Sequence, residues 1–128
     1  MGGKVLDSNV LIDLFRRDEK IIEQVKAMPR VFIPAIVLGE LYYGACLSDR
    51  MKRRISEMER LATKVIVLDI TRETTARYGE IKAKLKRNGK KIPENDIWIA
   101  ALCIQHELPL LTNDIHFDEV DNLVTEKP

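Results

Sequence analysis

At 128 residues, the chain has the length of one domain, able to bury about two-thirds of the surface it exposes when unfolded, so a core needs no disulfide or metal staple. Its 45% hydrophobic and 32% charged residues exclude a disordered or fibrous chain, and a net charge of +1 excludes a strongly polarised partner overall. Charges interrupt each apolar run well short of the ~20 residues a membrane helix needs, and MGGKVLDS lacks the apolar stretch of a secretory signal, which makes the cytosol the expected location and no membrane the expectation.

Read in chain order, KVL (4–6) is a short β-prone run that stops at Asp7-Ser8-Asn9, residues suited to turns and helix caps. VLIDLFRR follows with Val10, Leu11, Leu14 and Phe15 at helical spacing. VFIP (31–34) is a second strand, and Pro34 opens a helix with Ile36, Val37, Leu41 and Ala45 on one face. Asp49 begins a further amphipathic helix to about Leu61. VIVL (65–68) is a continuous apolar run of the kind covered on both faces, and Thr71 to Thr74 cap the next helix, which carries Tyr78, Ile81 and Leu85 inward. Gly89 ends that helix, Pro93 starts another to about Glu107, LPLLT (108–112) is a fourth strand and NLVT (122–125) an edge fifth.

Strands alternating with helices predict an α/β fold with a mostly parallel sheet of four to five strands, covered by helices on both faces, in a single domain spanning 1–128. Cys46 and Cys103 are far apart among apolar or small residues and read as buried free thiols in a reducing compartment.

In open α/β sheets ligands bind at the carboxyl ends of the strands, where Asp7, Asp69 and Asp114 fall. Glu40 and Asp96 lie on helical faces that otherwise read as buried; Asp96 shares its face with Ile99, Ala100 and Cys103. An ionised carboxylate costs several kcal/mol to bury unless a cation meets it. That cation is either a Lys or Arg side chain or a metal ion, and Asp96 has the further option of capping its helix. Jointly, Asp7, Glu40, Asp96 and Asp114 fall where this topology brings them to one sheet edge. An all-oxygen set without His or Cys suits Mg²⁺ or Mn²⁺ rather than zinc, and such ions are commonly completed by phosphate oxygens.

With those residues assembled, the chain resembles the PIN-domain ribonucleases, most closely the VapC-like toxins of toxin–antitoxin modules, over essentially its whole length. VLDSNVLIDLF is similar to the family's opening motif, IPAIVLGELYYG to the segment carrying its central Glu, and ENDIWIAALCIQHELPLLTNDIHF to its third and fourth motifs run together. The resemblance implies a PIN-like three-layer α/β/α sandwich and a Mg²⁺- or Mn²⁺-dependent endoribonuclease. It assigns Asp7, Glu40 and Asp96 as metal-binding catalytic acids and Asp114 as the fourth, with Asp118 the alternative, and it makes Asn9 and Thr112 supporting polar residues. It further implies an RNA substrate, a cognate antitoxin protein and a homodimer.

Two other functions compete. One is a non-catalytic RNA- or protein-binding module that keeps the fold; the other is a phosphoryl-accepting receiver, in which the Glu40 helix would have no place. Asp69 reads as turn or cap chemistry, Asp13 as a solvated acid, and His106 and His116 as bystanders. Trp98, Tyr42 and Tyr43 read as packing more than base stacking. KAKLKRNGKK (82–91) holds six basic residues and is either a solvated helix face or a phosphate-binding surface.

Overall fold

A computed structural model describes residues 2–128. Five strands, β1 (Gly3–Leu6), β2 (Arg30–Pro34), β3 (Ile66–Leu68), β4 (Leu110–Leu111) and β5 (Thr125–Glu126), form one sheet in the order β3-β2-β1-β4-β5. Every neighbouring pair is parallel, with Val5 opposite both Phe32 and Leu110. Six helices connect them: α1 (Ser8–Phe15), α2 (Glu19–Ala27), α3 (Ala35–Leu47), α4 (Met51–Ala62), α5 (Arg72–Arg87) and α6 (Glu94–Gln105). This is the α/β/α arrangement expected from the alternation of strands and helices.

The strand order positions the site. From β1 the chain moves outward to β2 and β3, then crosses back through α5 and α6 to β4 on the other side of β1. The reversal leaves a crevice between the carboxyl ends of β1 and β4, the usual ligand position in such sheets. Parallel crossovers need helices on the sheet faces, and the buried core joins both layers: Val5, Leu6, Val10, Leu11, Ile33 and Val37 with Ile97, Ile99, Leu102 and Leu110.

Several sequence expectations need correction. Helix α2 was not anticipated, although Asp18 accepts from the N–H groups of Lys20 and Ile21 and so caps EKIIEQVKA. Arg17, at φ 64°, makes the turn between α1 and α2. The run VIVL is not covered on both faces: β3 is an edge strand, and Ile66 is 44% exposed. Cys46 is exposed on α3, whereas Cys103 is buried as expected. Helix α1 begins two residues early, at Ser8, because Asp7 itself is the cap. The fourth strand shrinks to Leu110–Leu111, and the fifth starts only at Thr125.

The loop entering α6 is set by a glycine. Helix α5 ends with the Gly89 N–H donating to the Lys86 carbonyl at 3.1 Å and the Lys90 N–H to the Leu85 carbonyl at 2.8 Å. Gly89 has φ 68°, a left-handed conformation that costs a side-chain-bearing residue about 1–2 kcal/mol.

Candidate active site

Asp7 directly follows β1 and caps α1, and it is 3% exposed. Its Oδ1 accepts from the Ser8 N–H at 2.8 Å; its Oδ2 accepts from the Thr112 hydroxyl at 2.6 Å and from Asn9 Nδ2 at 3.0 Å. Thr112 follows β4, so these bonds tie the two strands that flank the crevice. Asn9 Oδ1 in turn accepts from the Asn113 N–H at 3.1 Å, and the Asp114 N–H donates to the Thr112 hydroxyl at 3.0 Å. The supporting polar residues expected from the sequence therefore hold Asp7 and the loop carrying Asp114 in a fixed relation.

The other acids arrive from two helices. Glu40 comes from the middle of α3, and Asp96 from the first turn of α6, which Pro93 opens without a side-chain cap. Asp7, Asn9, Glu40, Asp96 and Asp114, with Ser8, Glu94 and Asn95, line one open cleft. The four acids singled out in the sequence converge there. Asp69 and Asp118 are exposed and do not line it.

No Lys or Arg pairs with any of the four among the described residues; the only ion-pair neighbour is His116, whose Nδ1 lies 2.9 Å from Asp114 Oδ1. The structural alternatives for Asp96, a basic partner or a capping bond, are both absent from these residues. The electrostatics follow. Burial raises the Asp7 carboxyl above the ordinary carboxylate range against the pull of Thr112, Ser8 and Asn9, and the Asp114 charge adds to the rise. Burial also raises Glu40, with the nearby Asn95 amide countering it and Asp7 adding to it. Asp96 is pushed up to about 6, first by burial and then by the charges of Asp114, Asp7 and Glu40, with His116 opposing.

Two neighbours were missed or set aside in the sequence. Asn95 lines the cleft beside Asp96. His116, read as a bystander, can bring a ligand atom within 4.8 Å of those of Asp96 and Asp114. Its place comes from a local turn in which Asp114 Oδ1 accepts the His116 N–H at 2.9 Å, a pattern the spacing Asn-Asp-x-His permits.

A hard divalent cation fits this donor set. Glu40 Oε1 is buried without a hydrogen-bond partner, an arrangement that leaves a lone pair to be satisfied from inside the cleft. The four carboxylates offer only oxygen, as Mg²⁺ or Mn²⁺ prefer.

The chain belongs to the PIN domain family, whose pattern matches residues 4–123. Within that family its sequence is similar to Ribonuclease VapC2 of Haemophilus influenzae (strain ATCC 51907 / DSM 11121 / KW20 / Rd), with 35% identity over 125 residues, covering 95% of each chain. Its fold is similar to DNA-bound VapBC from Salmonella typhimurium, with TM-score 0.92 and 28% identity over 99% of this chain and 98% of that one. VapBC2 from Rickettsia felis, bound to a DNA fragment from its promoter, superposes with TM-score 0.91 and 26% identity over 98% of both chains.

Proposed function

We propose that the protein is a Mg²⁺- or Mn²⁺-dependent endoribonuclease, the toxin of a toxin–antitoxin pair, working in the cytosol as a homodimer under the restraint of a cognate antitoxin. The observation that carries the reading is the cleft in which Asp7, Glu40, Asp96 and Asp114 meet without a Lys or Arg partner among the described residues. The ribonuclease naming of the 35% identical relative supports RNA as substrate, and the VapBC structures support a partner protein.

In this reading Asp7, Glu40, Asp96 and Asp114 hold the cation. A divalent cation bound there supplies Lewis acidity, which makes water a stronger acid and offsets negative charge on phosphate. The chain's own residues do the positioning. Thr112 and Asn9 hold Asp7 Oδ2, and the Ser8 N–H holds Oδ1, so the least exposed acid has a single orientation. Asp114 is placed by the bond from its N–H to Thr112. Burial and the neighbouring acids raise the Asp96 and Glu40 carboxyls, so their negative charge is costly in the cleft and a cation there is favoured. Four carboxylates alone would repel a phosphodiester, so substrate approach itself depends on the cation.

Incubation of a mixed RNA pool with wild type in Mg²⁺, in EDTA, and with Asp7→Ala and Asp96→Asn in Mg²⁺ tests the assignment. Cutting only by wild type with Mg²⁺ is expected. Equal activity, or equal inertness, in all four reactions rules it out.

A further inference from the structure

Beside the acidic cleft lies a second groove of about 450 Å³, formed where α5 ends and α6 begins. Glu94 lines both, so the two adjoin at that residue. The second groove is rimmed by Lys82, Lys86, Lys90 and Lys91 over an apolar floor of Leu85, Ile92 and Ile97. Resting on the ribonuclease reading, we infer that this groove is the track for the RNA strand flanking the scissile phosphate, with Lys86 and Lys91 as its phosphate contacts.

The ion pairs separate working from structural lysines. Lys82 Nζ sits 2.9 Å from Glu94 Oε2, and Lys90 Nζ 3.4 Å from Glu119 Oε2. Lys84, on the same helix, is committed to Asp121 at 2.6 Å. Lys86 and Lys91 are exposed and have no carboxylate partner among the described residues, which leaves their charge free for phosphates.

Glu94 stands at the junction and would repel a passing phosphate. Its carboxylate is turned to Lys82, 2.9 Å away, and to the Tyr78 hydroxyl, so the Lys82 charge offsets it. The Tyr78 ring stacks on Trp98 with centroids 3.9 Å apart, so the hydroxyl that donates to Glu94 is held against α6 itself. The Gly89 turn, which ends α5 and leads into Lys90 and Lys91, fixes the basic end of the groove. An apolar floor with a basic rim matches riboses and bases below and phosphates above, and adjacency to the carboxylate cleft through Glu94 favours a strand reaching the reaction centre over a separately docked acidic protein.

The test compares wild type, Lys86→Gln/Lys91→Gln, and a charge-matched control, Lys52→Gln/Arg53→Gln, whose residues line neither groove. Binding of a fluorescent single-stranded RNA in EDTA, by anisotropy across a salt series, is read beside Mg²⁺-dependent cleavage of long and trinucleotide RNAs. The expected result is a salt slope lower by about 1.4, at about 0.7 per lost phosphate contact, in the groove variant alone. Its KM for long RNA rises roughly tenfold with kcat kept, and trinucleotide cleavage stays unchanged. Equal binding and KM in the groove variant and the control overturn the proposal, as does a groove variant that loses only affinity for a partner protein. A wild type that binds RNA through the groove but never cuts it sinks the nuclease reading and leaves the track supported.

Discussion

Two polar networks, each centred on a buried side chain, Thr74 in one and Asp7 in the other, differ in what they leave unfinished. At the start of α5, the Thr74 hydroxyl, fully buried, accepts the Thr71 N–H at 2.9 Å and donates to Gln105 Oε1, while Gln105 Nε2 donates to the Thr71 hydroxyl at 3.2 Å. All members are neutral and each has a partner, so the network joins the start of α5 to the end of α6. At the carboxyl edge of the sheet, Asp7 is as well supplied with donors, but it shares its cleft with three more acids and an orphaned Glu40 oxygen. A closed neutral ring stabilises a fold, whereas an open cluster of like charges costs stability and is kept for what it binds.

Substitutions should separate the two. Asp96→Asn is expected to lower RNA cleavage by at least about a hundredfold, since a lost cation ligand removes several kcal/mol of transition-state stabilisation. Its melting temperature should hold or rise, because repulsion among the acids falls. Thr74→Val should do the reverse, costing about 1–3 kcal/mol in chemical denaturation by leaving Gln105 Oε1 unpaired, with kcat per folded molecule unchanged. If Asp96→Asn destabilised the fold while Thr74→Val reduced kcat, the contrast would collapse.

A smaller effect sharpens it through pH. The folded chain holds the Asp96 proton up to about 6, against an ordinary 3.8, so it binds a proton that the unfolded chain has released. The contribution of this group to stability is therefore greatest below about pH 4, falls as pH rises from about 4 to 6, and is flat above. Asp7 and Glu40, also raised, act in the same direction. A cation competes with those protons, so thermal melts should show Mg²⁺ raising the melting temperature more at about pH 7.5 than at about pH 5. The neutral ring predicts no such dependence. Smallest of all, Asp118→Asn should leave cleavage within about twofold, because Asp118 is exposed outside the cleft, while Asp114→Asn should reduce it about tenfold or more. The reverse ranking would give Asp118 the fourth acidic role.

The contrast also shows what the sequence can carry. Asp7, Glu40, Asp96 and Asp114 were legible because a charge beside an apolar run is anomalous, and the strand and helix alternation said where such residues end up. Asn95 and His116 were not, since a polar residue at a helix start and a His in a loop are ordinary until the fold brings them to the acids. The continuous apolar run VIVL gave no sign that β3 lies at an edge, because strand order is a tertiary property. Helix α2 could have been read from Asp18 and the spacing of Ile21, Ile22 and Val25. Cys46 follows apolar residues on α3 yet faces outward, with Tyr43 and Leu47 exposed beside it, and periodicity alone does not say which side of that helix the sheet covers.

Mn²⁺ binding followed by electron paramagnetic resonance tests directly, without any RNA, whether the carboxylates gather to hold a cation. Wild type should bind Mn²⁺ in competition with Mg²⁺, and Asp7→Asn and Asp96→Asn should each weaken binding by about tenfold or more while Thr74→Val does not. Mn²⁺ affinity that is the same in all four proteins would contradict the account.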